Sequence, residues 1–315
     1  SDLVLANYWH LYRLPRRVDP RRLVLVTHDL DFLVAPRRLA PRGGLRARAA
    51  ALRSRMLARI ELEAYRRFEM ILAVTEADAE ALRRHPAAAG ARVAALPLAL
   101  DLSAYDFGAP PRDAETILLL GSFDSDFNSD ALRWFITEIM PLVRRGNPRA
   151  RLEVVGRGVA EEVRRGAPAD IVFRGGVEDV AEPLARCALM VLPMRFCGGV
   201  RIRMLEAAAA GTPVVSTPVG VAGMGLEAGR EYLEAESARE FAAAVLTLLG
   251  DGGAAARLGA NARRWAEERL SMRTYPERLS AVLDALAGPG ARGAGPTRRD
   301  ARTRRTLRPR GPGAE

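Results

Sequence analysis

The chain contains no lysine: all 48 of its basic residues are arginine. With the abundance of alanine this reads as a compositional bias of the genome, so an Arg where Lys is usual says little about chemistry. Two cysteines, Cys187 and Cys197, exclude a disulfide framework and point to a reducing compartment. No C-x-x-C pair or His/Cys cluster marks a metal site, and no metal is expected. No apolar run reaches membrane-spanning length. The start, SDLVLANYWH, has neither an initiator Met nor the shape of a signal peptide, so the expectation is a cytoplasmic protein whose sequence begins inside a domain.

What is present suggests two domains. A length of 315 residues with 49% hydrophobic content supports large cores. Short apolar runs at Leu3–Ala6, Leu23–Thr27, Ile71–Val74 and Val93–Leu96 read as strands of a first αβ domain over residues 1–108. Between them, Leu45, Ala49, Leu52, Met56, Ile60, Ala64 and Phe68 recur at helical spacing, and the default reading of that stripe is core. A basic amphipathic helix lying on an anionic membrane is the alternative. Thr75-Glu76-Ala77-Asp78 has a capping-box pattern. Gly108-Ala109-Pro110-Pro111 breaks regular structure, giving a linker over 109–115.

From Thr116 the pattern alternates. Strands at 117–120, 152–155, 171–173, 189–192 and 214–215 are separated by helical stretches, which predicts a parallel, doubly wound sheet in a second domain over 116–272. A helix over 273–287 follows. From Gly288 the composition turns to Gly, Pro, Ala, Thr and Arg, with eight Arg against Asp300 and Glu315, a net of +6 that leaves +4 of the chain's +10 elsewhere. This tail is expected to be disordered, with no specific nucleic-acid partner.

The most informative stretch is Phe196–Gly220, FCGGVRIRMLEAAAAGTPVVSTPVG. Gly198 and Gly199 open a helix that closes at Gly211 before a strand. A helix N-terminus binds anions, because its first N–H groups lack intrahelical partners and the dipole is positive there. Arg201 and Arg203 sit in that first turn, against the dipole, as partners for a diphosphate. Glu206, among Leu205, Ala207 and Ala208, is costly to bury unless hydroxyl or amide donors satisfy it. An ordinary αβ unit with both arginines reaching solvent remains the competing reading.

The string GGVRIRMLEAAAAGTPVVSTPVG resembles the signature of the group 1 (family 4) glycosyltransferases, in the subset with a GG-x-R-x-K-x-LEA pattern. The resemblance runs on through ILLLGSFDSDFNSDALRWFITEIMPLV, LEVVGRG, IVFRGGVEDVAEPLARCALMVLPM and EFAAAVLTLLGD, and reaches back to VTHDLDFL and ILAVTEADAEAL. It implies the GT-B fold: two facing Rossmann-like domains with parallel doubly wound sheets, the first incomplete here, and the 273–287 helix crossing back onto it. It implies transfer of a sugar from a nucleotide diphosphate sugar to an acceptor hydroxyl on a glycan or lipid-linked glycan, with retention, no metal and no cofactor. Work at the inner face of the membrane, with peripheral contact to anionic lipid, belongs to the same expectation.

Site residues follow from the resemblance. Arg201 and Arg203 clamp the diphosphate, Glu206 binds the ribose hydroxyls, and His28, after a strand, faces the donor sugar. Gly121, Ser122, Gly198, Gly199, Val200 and Leu205 approach the donor, and the loop at Val177 meets the base. Asp124 and Asp126 form a D-x-D, but acids before a helix are favourable without any metal. Two departures stand out: the loop after Leu120 lacks the usual Arg and Lys, and Gly198 occupies the position of the commoner motif's first Glu. They keep a catalytically inactive nucleotide-sugar-binding module open as an alternative, beside a sugar-nucleotide epimerase.

Overall fold

The computed structural model describes residues 4–11, 23–28, 30, 32, 45–108 and 113–287. Residues 109–112 of the expected linker and the whole Arg-rich tail lie outside them.

The first sheet is four-stranded and parallel, with β1 (Val4–Asn7), β2 (Leu23–Thr27), β3 (Met70–Ala73) and β4 (Arg92–Ala95) in sequence order. Its central strands are apolar along their whole length because both faces are covered. On one face Leu25 and Ile71 pack with Ala64, Tyr65 and Leu82 from α1 (Leu45–Tyr65) and α2 (Glu76–Arg84). Thr75 caps α2, its hydroxyl accepting from the Asp78 N–H at 3.0 Å.

The stripe on α1 departs from the core reading. Ala64 and Phe68 are buried, yet Leu52 and Met56 are 60% and 55% exposed and Ile60 is also exposed. Periodicity identifies a helix with an apolar face, and only tertiary structure says what covers it.

The second sheet is also parallel: β5 (Asp113–Leu120), β6 (Arg151–Val155), β7 (Ile171–Gly175), β8 (Cys187–Leu192), β9 (Val214–Ser216) and β10 (Leu233–Glu234) lie in the order β10-β9-β8-β5-β6-β7. β5 begins at Asp113, inside the expected linker, and β10 was not evident from sequence. The chain builds outward from β5 to β7, then returns to β8 on the other side of β5. The strand order therefore reverses between β5 and β8, and ligands of open αβ sheets bind at the carboxyl ends of such a pair.

One face of this sheet packs on Trp134, Phe135 and Phe241, the last from α9 (Ala238–Gly250). The other is covered by α7 (Ile202–Ala210), behind which lies α10 (Gly252–Arg269). Short helices complete the αβ units: α3 (Asp126–Trp134), α4 (Met140–Gly146), α5 (Glu161–Arg165), α6 (Ala181–Arg186) and α8 (Pro218–Val221). The alanines of α7 let α10 approach closely, and the tightest point is Gly259, where a Cβ would stand 2.1 Å from the Gly211 carbonyl oxygen.

Two crossings join the domains. Where the chain leaves the first, the Leu100 N–H donates to the Leu270 carbonyl at 2.7 Å, and the Met272 N–H donates to the Leu100 carbonyl at 3.3 Å. Beyond this bridge α11 (Tyr275–Ala287) turns back, placing Tyr275, Leu279 and Val282 on Val24, Met70, Leu72 and Leu96 of the first sheet. Among the described residues no single helix is long and apolar enough to cross a membrane.

Replacing Gly259 by Ala forces backbone apart at the α7–α10 contact. A loss of about 1–3 kcal/mol is expected in chemical denaturation, with the cooperative transition retained. An unchanged midpoint would mean that α10 shifts freely.

Candidate functional site

Three loops at the carboxyl ends of β5, β6 and β7 are laced together by their backbones. The Gly121 N–H donates to the Val155 carbonyl (3.1 Å), the Phe123 N–H to Arg157 (2.7 Å) and the Gly156 N–H to Gly175 (2.7 Å). Gly156 makes this possible: its φ is +145°, and a Cβ there would stand 1.6 Å from the Gly121 carbonyl oxygen. The loops form the floor of a cavity of about 400 Å³ whose walls include Gly121, Ser122, Arg157, Val177, Glu178 and Arg203.

Beside the floor stands the start of α7. Its N-cap is Arg201, with extended backbone and no side-chain cap, so no side chain occupies the positive end of the helix. Arg201 is only 8% exposed. Its Nη1 donates to the Gly198 carbonyl at 2.7 Å, while Nε is buried without a partner. Arg201 makes no ion pair among the described residues. Asp78 of α2 faces it from the other domain: burial raises the Asp78 carboxyl, against the Thr75 hydroxyl and the Arg201 charge, which pull it down. A buried cation with an unused donor and no bonded carboxylate is unfavourable unless an anion completes it.

Two residues on, Arg203 reaches the cavity wall, and its Nη1 bonds the Glu206 carboxylate at 2.7 Å. Glu206 is 8% exposed. The pKa of the Tyr105 hydroxyl is pushed up to about 12 by burial first and then by the Glu206 charge.

The other expected residues are distributed more widely. Val200 and Leu205 line a separate, largely apolar cavity of about 340 Å³ between the domains, together with Val74, Thr75, Gly223, Met224 and Trp265. Gly198 engages Arg201 through its carbonyl, and Gly199 turns with φ +66°. His28 lies at the carboxyl end of β2, with Nε2 2.6 Å from Asn7 Oδ1 and its ring 4.6 Å from that of Tyr8. It lines neither cavity.

Asp124 and Asp126 stay apart in role: Asp124 accepts from the Ser122 hydroxyl at 3.4 Å, and Asp126 sits in the first turn of α3. Among the described residues no three His, Cys, Asp or Glu side chains gather to hold a metal ion.

Sequence reasoning missed Arg157 and Tyr105. Arg157 places its methylenes where a side chain at position 176 would lie, 2.8 Å from a Cβ built on Gly176, and contributes a cation to the cavity whose β5 loop has none. The signal available was the Gly156-Arg157-Gly158 turn after a strand. Nothing in the sequence pointed to Tyr105.

Comparison with known proteins bears on this site. Residues 114–251 match the family model described as glycosyl transferases group 1, which is under half of the chain. An uncharacterized 44.6 kDa protein in the cps region of Klebsiella pneumoniae is 24% identical over 135 residues, 40% of this chain and 35% of that protein. The match therefore spans about a third of that relative. Among solved structures, Anabaena HepE in complex with UDP is 18% identical with a TM-score of 0.66, over 90% of this chain and 79% of HepE. Sucrose-phosphate synthase from Thermosynechococcus elongatus is 19% identical with a TM-score of 0.70, over 91% and 74% of the two chains. A mutant of S. aureus TarM, solved with fondaparinux, alpha-GlcNAc-glycerol and UDP, is 14% identical with a TM-score of 0.67, over 90% and 56%. Parallel sheets, strand order and these likenesses together give the chain the α/β architecture of the GT-B fold, with two Rossmann-like domains.

Proposed function

We propose that this chain is a glycosyltransferase that moves a sugar from a nucleotide diphosphate sugar to an acceptor hydroxyl on a glycan or lipid-linked glycan, with retention and without a metal ion. The observation that carries the reading is Arg201, buried at an uncapped helix start with one guanidinium nitrogen unpartnered, beside a strand-end cavity at the switch point of the sheet. That chemistry fits a diphosphate. The group 1 match over residues 114–251 and the UDP complexes of HepE and TarM support it.

In this reading Arg201, Arg203 and the α7 N-terminus stabilise the negative charge that develops as the nucleoside diphosphate leaves. Gly121 and Ser122 let the phosphates approach the backbone, the Val177 loop receives the base, and Glu206 holds the ribose hydroxyls. His28 serves the donor sugar from the first domain. No side-chain nucleophile is required.

The test is thermal stabilisation by UDP-, GDP-, ADP- and dTDP-sugars, because a ligand of the native state adds about 2.7 kcal/mol at a hundred times its Kd. One donor is expected to raise the melting temperature, and Glu206→Ala to abolish the rise. If no donor stabilises the chain, the reading is wrong.

Arg201→Met separates binding from folding. Removing an incompletely partnered buried charge is expected to leave the unliganded melting temperature unchanged or raised, while the donor-induced shift disappears. A fall of several degrees without ligand would make Arg201 structural.

The same reading places the protein at the cytoplasmic face of a membrane, since the exposed Leu52, Met56 and Ile60 of α1 are flanked by Arg53, Arg55 and Arg59, also exposed. Flotation with vesicles containing anionic lipid is expected, falling at high salt and in a Leu52→Asp/Met56→Asp variant; equal binding to neutral vesicles would count against it.

A further inference from the structure

Three arginines, Arg195, Arg201 and Arg203, fall within nine residues between β8 and the first turn of α7. Arg195 lines neither cavity and is engaged elsewhere. Its Nε and Nη2 donate to the two carboxylate oxygens of Asp130 at 2.9 and 2.6 Å, and its Cζ lies 5.6 Å from the centre of the Trp134 ring. Asp130 and Trp134 stand four residues apart on α3, so one helix face supplies both contacts. The Asp130 side chain is only 13% exposed. A two-pronged bond to a largely buried carboxylate, with an indole face alongside, fixes the guanidinium in one orientation.

The segment that carries Arg195 needs such fixing. Residues 193–201 lead from β8 to the N-cap of α7 and include Gly198 and Gly199, the latter at φ +66°, so the backbone does little to hold its own course. Met194 and Cys197 are buried with Ala131 of α3 and pack against Phe127 of the same helix and Val219 of α8. The Cys197 thiol donates to the Val219 carbonyl at 3.4 Å. Arg195 is the one charged residue of the segment before Arg201. The segment therefore meets α3 at two pairs spaced by four, apolar Phe127 and Ala131, and polar Asp130 and Trp134. At its far end the Gly198 carbonyl receives the Arg201 guanidinium.

α3 is also tied to the opposite side of the cavity. The Asn128 amide donates to the Ser122 carbonyl at 2.8 Å, and the Ser129 hydroxyl donates to the Phe123 carbonyl. One short helix thus holds both the β5 loop, whose Gly121 and Ser122 stand on the cavity wall, and the segment that ends in Arg201.

We propose that Arg195 and Asp130 are a positioning pair: their ion pair clamps the 193–201 segment onto α3 and so sets the Gly198 carbonyl, and with it the Arg201 guanidinium, against the β5 loop for a diphosphate. Arg195 acts through the segment and touches no ligand. This inference rests on the donor-site reading above and adds to it what holds the two sides of the phosphate site in register.

Two measurements on the full chain test it, each on wild type, Asp130→Asn and Arg195→Lys. The first needs no ligand: the rate at which iodoacetamide alkylates Cys197, mapped by mass spectrometry, with Cys187 in the core of β8 reporting global opening. Both variants are expected to raise the Cys197 rate about tenfold, the worth of a hydrogen bond to a charged group, while the Cys187 rate holds. The second is calorimetric binding of UDP, GDP and ADP, where the variants are expected to bind the preferred diphosphate about tenfold more weakly.

An unchanged Cys197 rate would mean that the segment is held without the clamp, and both cysteines reacting faster in step would make the pair a part of global stability. Faster Cys197 with unchanged affinity would uncouple the segment from the site. Tighter binding by Asp130→Asn would make Arg195 itself an anion ligand that Asp130 holds back. Each of these overturns the positioning role and leaves the donor site standing. Wild-type protein that binds none of the three diphosphates overturns the donor-site reading instead, and the role of the pair in it falls too, whatever the Cys197 rate.

Discussion

A guanidinium kept out of water with an unused donor constrains everything near it. At Arg201 the constraint is met only in part: one nitrogen bonds the Gly198 carbonyl, Nε bonds nothing, and Asp78, a carboxylate that feels its charge, belongs to the other domain. The backbone cannot help, because the same residue is the N-cap of α7, where the helix presents its own positive end. The arrangement is poor for stability alone. In the function proposed above its complement is an anion, with unliganded stability given up in return for binding that charge.

Most of the architecture was legible in the sequence because parallel strands covered on both faces appear as uninterrupted apolar runs. The strands around Leu25, Ile71, Leu119, Val154 and Val191 announce themselves in that way. β10, two residues long, has no such run. The stripe on α1 differs from its core expectation for a physical reason: Leu52 and Met56 repeat at helical spacing whether or not anything lies against them.

At the site, what the sequence could show was confined to one element. Arg201, Arg203 and Glu206 share α7 and its cap, and their spacing alone suggests a front end that handles anions. Val200 and Leu205 flank the same residues, yet they face the interdomain cavity, since neighbouring helical positions point in different directions. Arg157 and Tyr105 arrive from remote segments, one through the strand-end loops and the other from the connection between domains. No local pattern encodes either convergence; it is a product of the strand order and of the way Arg263 gathers the connecting chain onto α7.

The chain passes between its two halves at Leu100 and again at Ser271, and those passages are hydrogen-bonded side by side. Two passages pinned to each other in this way hold the connecting segments of the two halves in register along one line. Asp78 and Arg201 lie on opposite sides of that line, so the charge each feels from the other is set by how the two halves meet.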